Sequence, residues 1–229
     1  AVAKQLDNVS SGISTNKSKD MNKKLEKSPP LDIGVGEFGE PIAIIGASCL
    51  CPGATDLKSF WERLSRGQEM TLGGINAEEA RDFISSYVEG FDTTFFELSH
   101  ADSSLIDPQQ RLFMECALEA IQDAGLSLKR KQGAVDGNND DGCSVGVFST
   151  TSVNTYLTHN LLDPDLRKAM AKDPAEFMRV LLASDKDYTS SRLAHALDLR
   201  GPAVTVQSAC SSSLSAVMLA CDALHAGRC

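Results

Sequence analysis

The spacing of apolar residues changes sharply near the C-terminal end of the chain. Residues 203–207 form a short β-branched apolar run, which is typical of a strand. Beyond this run, apolar residues recur at helical spacing at Leu214, Val217, Met218, Cys221 and Leu224. The pattern predicts a strand followed by a helix, with Cys210 at the junction between them.

A second strand-to-helix pattern lies near residue 40. Residues 42–45 form a continuous apolar run, which predicts a strand buried on both faces. Asp56 is a candidate N-cap for the helix that follows, and Gly67 is a candidate stop. Trp61 lies on the apolar face of this helix and is predicted to anchor the core.

The clearest helix is predicted to begin at Asp107 and to stop at Gly125. Pro108 suits its first position, and Gln110 stands where a capping box would place its return hydrogen bond. Its predicted buried stripe comprises Leu112, Phe113, Cys116, Ala117, Ala120, Ile121 and Ala124. Capping and packing therefore explain the polar residues at the start of this helix, and we assign them no chemistry.

Two segments have the composition of polar connections. Residues 1–39 are rich in Ser, Asn, Lys and Asp and are predicted to form a flexible leader or linker before a domain at 40–229. Residues 129–142 alternate acidic side chains as a calcium loop does, but Asp141 occupies the position that needs glycine. A solvated surface loop is the prediction there.

The composition is that of a soluble globular enzyme, with 42% hydrophobic and 23% charged residues in a chain of 229. No apolar run approaches the roughly 18 to 20 residues that a membrane span needs. The net charge of −9 argues against a nucleic-acid partner, which normally requires a basic patch.

Seven cysteines without a secretion signal predict reduced thiols and a cytoplasmic location, not a disulfide framework. Cys49 and Cys51 lie two residues apart, but no second cysteine or histidine pair stands at metal-ligand spacing. We therefore expect no metal site.

Cys210 is the best candidate for catalysis. A thiol at a helix N-terminus lies beside unpaired N–H groups and the positive end of the helix dipole, which favour the thiolate. The same N–H groups can receive the charge that develops on an attacked carbonyl oxygen. The alternative is a small buried cysteine that happens to precede a helix.

A catalytic cysteine usually needs a base, and none of the four histidines is a convincing partner. His225 lies about 22 Å from Cys210 along the predicted helix. His195 falls in a short amphipathic stretch, where a core or surface role is expected. His100 and His159 lie in irregular surroundings without a motif.

Residues 184–224 closely resemble the active-site region of β-ketoacyl synthases, the condensing enzymes of polyketide and fatty acid synthesis. Residues 40–68 are similar to the first strand and helix of that family. Residues 91–125 share its Asp-Pro-Gln-Gln-Arg run, and residues 143–150 are similar to a further strand. These blocks cover nearly the whole chain after residue 40.

The resemblance implies an α/β thiolase-like fold, with layered helices around a mixed sheet, of which this chain carries the N-terminal half. It implies that Cys210 accepts an acyl group and that a malonyl-type extender then condenses with it. The partners would be acyl and malonyl thioesters on an acyl carrier protein, whose phosphopantetheine arm serves as carrier, with no cofactor bound directly. The complete domain would be a homodimer.

The sequence departs from the family in two respects. The family's two histidines follow His-Gly-Thr and Gly-His motifs, which this sequence lacks, so we expect the 229 residues alone to be inactive. Many polyketide-type relatives have Asp-Thr-Ala before the cysteine, where this chain has Gln207, Ser208 and Ala209. The subfamily therefore stays open.

Two alternatives compete with condensation. The chain could be a non-enzymatic remnant or interaction module that keeps the half-fold. It could also be a cysteine hydrolase, in which folding brings one histidine to Cys210.

Overall fold

The computed structural model describes residues 40–70, 76–126 and 144–229, and the side chains of Ile84 and Asn160 are not described. The predicted leader and the predicted 129–142 loop lie outside these residues. In chain order the α-helices and strands are α1 (Leu57–Ser65), α2 (Ala77–Phe83), α3 (His100–Ser103), α4 (Pro108–Asp123), β1 (Val147–Ser149), α5 (Pro164–Lys172), α6 (Pro174–Ser184), α7 (Thr189–Ala196), β2 (Ala203–Thr205) and α8 (Ser212–His225).

Four short helical turns of other types connect these elements. Two are π-helical turns, at Ile84–Glu89 and Leu157–Leu161. The other two are 3₁₀ turns, at Lys186–Tyr188 and Ala209–Ser211. The last of them carries Cys210.

The strands β1 and β2 form a parallel pair, with Val147 opposite Ala203 and Ser149 opposite Thr205. Parallel strands need a long crossover connection, which α5, α6 and α7 provide here. Both strands fall inside the runs predicted from sequence, but each is only three residues long. The α/β class and the helix-rich half-fold are confirmed.

A buried hydroxyl network fastens α7 to both strands. The Ser190 hydroxyl donates to the carbonyl of Val204 at 2.8 Å and lies 2.6 Å from the hydroxyl of Ser149. Ser149 and Ser190 are almost completely buried. Since buried hydroxyls are costly when unpaired, this network specifies how the helix sits on the sheet.

The predicted helix ends are confirmed for α1 and α4. The Asp56 side chain accepts from the Ser59 N–H at 2.8 Å, and the Ser59 hydroxyl completes a capping box. Asp107 caps α4 through the Gln109 N–H. Gly67 and Gly125 follow these helices with φ of 65° and 68°, which glycine adopts without a steric penalty.

Two predictions for the N-terminal region are wrong. Residues 42–45 form no strand, and Ile44 is 90% exposed. Trp61 is 65% exposed and does not anchor the core, and no residue of α1 is fully buried in the described chain. A strand buried on both faces needs ladder partners and covering layers, and the described residues supply neither.

The core lies between α4, α7 and β1. One cluster of buried residues contains Phe91, Phe96, Met114, Val147, Leu193, Ala194, Leu197 and Leu199. A second, around Ile106 and Val180, connects α6 to the start of α4. The apolar stripe predicted for α4 is only half-buried. The most buried apolar residue of α4 is Met114, which lies outside that stripe.

The side chain of Gln110 does not close a capping box, contrary to the prediction. It is 1% exposed and donates through Nε2 to the carbonyl of Asp185 at 2.9 Å. Its Oε1 accepts from Arg192 Nε at 3.1 Å. Arg192 in turn donates to the carbonyls of Leu182 and Ala183. Together Gln110 and Arg192 satisfy carbonyls that the end of α6 leaves free.

Replacement of Gln110 tests this interaction. We expect Gln110→Ala to lower the free energy of unfolding by about 2 to 3 kcal/mol, because it empties the site of a buried side chain, removes the amide donor of the Asp185 carbonyl and leaves Arg192 Nε without its acceptor. Chemical denaturation measures this. The matched control is Gln122→Ala, on the exposed side of the same helix, with an expected change within about 0.5 kcal/mol. Equal effects of the two substitutions would show that Gln110 does not hold α6 in place.

Candidate active site

Cys210 lies on the 3₁₀ turn Ala209–Ser211, between β2 and α8. The predicted strand-to-helix junction is therefore confirmed. The side chain is exposed, so the alternative of a small buried cysteine is wrong. An accessible thiol at this junction can meet a substrate.

The backbone just before the cysteine is strained. Ala209 has φ of 53°, a left-handed conformation that costs a non-glycine residue roughly 1 to 2 kcal/mol. The Ser212 hydroxyl stabilises this conformation, because it accepts from the Ser208 N–H at 2.7 Å and donates to the Ala209 carbonyl at 2.8 Å. Ser212 is 5% exposed and clamps the turn from inside.

Three other serines contribute hydroxyl bonds at the same turn. The Ser211 hydroxyl donates to the Ser208 carbonyl at 2.8 Å, and the Ser208 and Ser215 hydroxyls lie 3.2 Å apart. The sequence pattern did not single out these serines. The signal was the serine run itself, since serine hydroxyls near a helix N-terminus commonly bond to the backbone.

The turn leaves the backbone N–H of Cys210 available. The Ser211 N–H donates to the Ser208 carbonyl, and the Ser212 N–H donates to the Ala209 carbonyl. The Cys210 N–H has no acceptor among the described residues. A free N–H at the candidate thiol, at the positive end of α8, can stabilise an oxyanion.

Cys210 opens into a cavity of about 700 Å³. Its lining comes from α4, from the segment that follows β1, and from the Cys210 turn. The residues are Gln109, Leu112, Phe113, Cys116, Thr150, Thr151, Ser152, Val153, Lys186, Gln207, Ala209, Cys210, Ser212 and Ser213. This mixture of apolar and polar groups can hold an acyl chain and fix polar parts of a substrate.

None of the four histidines, all of which lie in the described chain, lines this cavity. His195 borders a separate cavity of about 510 Å³ that is lined in part by α7, and His225 is the last residue of α8. The histidine base that a cysteine hydrolase would need is therefore not beside Cys210 in the described residues.

Three other thiols lie near α4 and the segment that precedes α1. Burial raises the pKa of Cys116, which shares the cavity with Cys210. Burial and the neighbouring Cys51 raise the pKa of Cys49.

No group of three or more metal-binding side chains occurs in the part of the chain that is described. Among the described helices, none has the length and apolarity to cross a bilayer.

The sequence matches the family model "Beta-ketoacyl synthase, N-terminal domain" over residues 39–229. It is 36% identical over 208 residues to a phenolphthiocerol/phthiocerol polyketide synthase of Mycobacterium tuberculosis, covering 82% of this chain and 13% of that protein. It is 31% identical over 219 residues to a highly reducing polyketide synthase of Aspergillus terreus, covering 87% of this chain and 8% of that protein. The chain thus spans a small part of these relatives.

The fold is similar to that of solved ketosynthases. Ketosynthase twelve of the bacillaene polyketide synthase of Bacillus amyloliquefaciens matches with a TM-score of 0.61 and 28% identity. The match covers 81% of this chain and 31% of that one. The module 1 ketosynthase of the bacillaene synthase matches with a TM-score of 0.60 and 28% identity, over 81% of this chain and 32% of that one.

The role of the Ser212 hydroxyl in holding the Cys210 turn can be tested directly. We expect Ser212→Ala to lower the free energy of unfolding by about 1 to 2 kcal/mol, because the Ser208 N–H and the Ala209 carbonyl both lose a partner in a part-buried site. Iodoacetamide alkylation of Cys210 should also slow, since the turn is no longer fixed. The control is Ser213→Ala, an exposed neighbour with no hydroxyl bond that holds the turn. Unchanged stability and reactivity in Ser212→Ala would contradict the clamp.

The thiols should differ in reactivity with pH. A raised pKa means that a thiol stays protonated to higher pH, so Cys49 and Cys116 should react slowly near neutral pH and accelerate only in alkaline buffer. Cys210, which is exposed, should be alkylated first. Peptide mapping after timed exposure to iodoacetamide at several pH values measures the order. Labelling of Cys116 ahead of Cys210 at neutral pH would refute it.

Proposed function

This chain belongs to the β-ketoacyl synthase family through its N-terminal domain, and from that premise we propose that Cys210 is the nucleophile of a condensing reaction in polyketide synthesis. In the whole protein, the reaction joins an acyl thioester to a malonyl-type extender and loses CO₂. The relatives named above are polyketide synthases, which favours this pathway over fatty acid synthesis.

One observation carries the proposal. The nucleophile candidate is exposed on a strained, serine-braced turn and opens into a cavity large enough for an acyl group. A module that only bound partners would have no use for a strained thiol beside a free N–H. We therefore place the non-enzymatic alternative behind condensation.

In the first stage, the Cys210 sulfur attacks the carbonyl carbon of an acyl thioester. The pair of electrons displaced onto oxygen forms an oxyanion, and the Cys210 N–H is placed to stabilise it. When the intermediate collapses, the bond to the phosphopantetheine sulfur breaks and that thiol leaves with a proton. The acyl group is then held on Cys210 as a thioester.

In the second stage, a malonyl-type thioester loses CO₂ and leaves an enolate. Its α-carbon attacks the acyl carbonyl on Cys210, a carbon–carbon bond forms, and the cysteine thiolate departs. The product is a β-ketoacyl thioester on the carrier. We propose that the histidines of the family's His-Gly-Thr and Gly-His motifs, which this chain lacks, stabilise the enolate.

The partners proposed for the whole protein are an acyl carrier protein and a second copy of the chain. The exposed apolar faces support further packing: on α8, Leu214 is 76% and Val217 is 60% exposed. Exposed apolar surface of this kind marks a face that other protein covers. Along β2, which pairs only with β1 in the described chain, Val204 is also exposed. An open strand edge suits pairing with a second copy.

Replacement of the nucleophile tests the proposal. In the complete protein, we expect Cys210→Ala to abolish formation of the acyl-enzyme from an acyl carrier thioester, as detected by intact mass, and to abolish condensation. Cys221→Ala, which removes a partly buried thiol from α8, serves as the control and should retain both. If Cys210→Ala still became acylated at the same rate, another residue would be the nucleophile.

A further inference from the structure

The cavity beside Cys210 has an unusual charge. Among the described residues that line it, Lys186 is the one cationic side chain, and none is an aspartate or glutamate. This contrasts with the chain as a whole, which has a net charge of −9. A cavity that excludes carboxylates in an acidic protein points to a ligand that carries negative charge.

Lys186 extends from a rigid segment. Three consecutive carbonyls accept hydrogen bonds from other elements. The Asp185 carbonyl accepts from Gln110 Nε2 at 2.9 Å. The Lys186 carbonyl accepts from the Thr189 hydroxyl at 2.7 Å, and the Asp187 carbonyl accepts from the Thr205 hydroxyl at 3.2 Å. Thr205 lies in β2, the strand that leads to Cys210. The backbone that carries the cation and the backbone that leads to the thiol are therefore fixed to each other.

The charge of Lys186 is not neutralised within the described chain. It forms no ion pair there. The adjacent Asp185 carboxylate accepts the Asp187 N–H at 3.1 Å as the cap of its own turn, and Asp187 is exposed to solvent. Lys186 itself is half-buried, so its interaction with an anion in the cavity would be only partly screened by solvent.

A second positive feature lies in the same cavity. The N-terminus of α8, a helix of 14 residues, carries partial positive charge there, and the Cys210 N–H has no acceptor in the described chain. Lys186 and the helix terminus come from separate elements and act on the same space.

We propose that the Cys210 cavity is an anion-binding site and that Lys186 is the counter-ion for a carboxylate or phosphate group of the thioester substrate. The choice of a thioester rests on the proposed function, whereas the anion preference rests on the charges that line the cavity. Two parts of the substrate carry such a group: the carboxylate of a malonyl-type extender and the phosphate of the phosphopantetheine arm.

Two alkylating reagents of nearly equal size test the anion preference without any condensation. Iodoacetate is anionic and iodoacetamide is neutral, and both modify the same Cys210 sulfur. In the complete protein, peptide mapping gives the two rates for Cys210, and their ratio cancels differences in thiolate content or accessibility. Free cysteine provides the reference ratio in the same buffer.

We expect Lys186→Gln to lower the iodoacetate-to-iodoacetamide ratio about threefold, as a partly screened ion pair of modest strength implies, while the iodoacetamide rate stays near that of the unmodified protein. Lys186→Arg should keep the ratio. Lys168→Gln, which removes an exposed lysine of α5, should leave it unchanged. The ratio in the unmodified protein should fall as salt is added.

An unchanged ratio in Lys186→Gln would overturn the proposal, as would an equal loss in Lys186→Arg. A fall in both rates would mean that the variant had lost its fold, and Lys186→Met then repeats the comparison with a side chain of similar length. Failure of Cys210 to accept any acyl group would contradict the proposed function but would leave the alkylation ratio interpretable.

The source of the anion is distinguished by acetyl-phosphopantetheine and acetyl-pantetheine, which differ only in the phosphate. If Lys186→Gln slows acylation of Cys210 by the first donor alone, Lys186 binds the phosphate. If the two donors are affected equally while the iodoacetate ratio falls, Lys186 binds a carboxylate. Either result supports the anion site.

Discussion

The hydrogen-bonded pair of Gln110 and Arg192 at the end of α6 is the interaction on which the rest of this structure depends. A helix that ends inside a protein must place its last carbonyls against donors, because water cannot reach them. Here the donors come from α4 and α7, so three helices are fixed by one polar contact. The apolar core supplies most of the burial, but this contact specifies how the helices meet.

The same contact determines where the candidate chemistry lies. The chain that leaves α6 turns at once through residues 185–187, and their carbonyls are bound by α4, α7 and β2. The hydroxyls of Ser149 and Ser190 then connect α7 to both strands. From β2 the chain reaches the strained turn at Ala209 within four residues, with Ser212 holding it. The backbone segments that carry Cys210 and Lys186 are thus connected by one network of hydrogen bonds.

Local patterns in the sequence predicted local structure well. The caps at Asp56 and Asp107, the stops at Gly67 and Gly125, and the strand-to-helix junction at Cys210 all depend on residues within a few positions of one another. The role of Gln110 could not be predicted in this way. Gln110 bonds to residues 74 and 75 positions away, and no periodicity carries that information. The predictions for Trp61 and for residues 42–45 were wrong for a related reason. An apolar pattern indicates that a face is to be covered, but it does not indicate what covers it.

The parallel pairing of β1 with β2 has a consequence for the order in which the chain folds. Ser149 and Thr205, which face each other across the pair, are 56 residues apart in sequence. Contacts of such long sequence separation form late, after the helices between them have been ordered. The pairing also fixes the chain that leads into the Cys210 turn, since the Val206 N–H donates to the Ser149 carbonyl. Local serine bonds can form the turn early, but Cys210 reaches its place beside the cavity only once the crossover has folded, and until then it is an ordinary exposed cysteine.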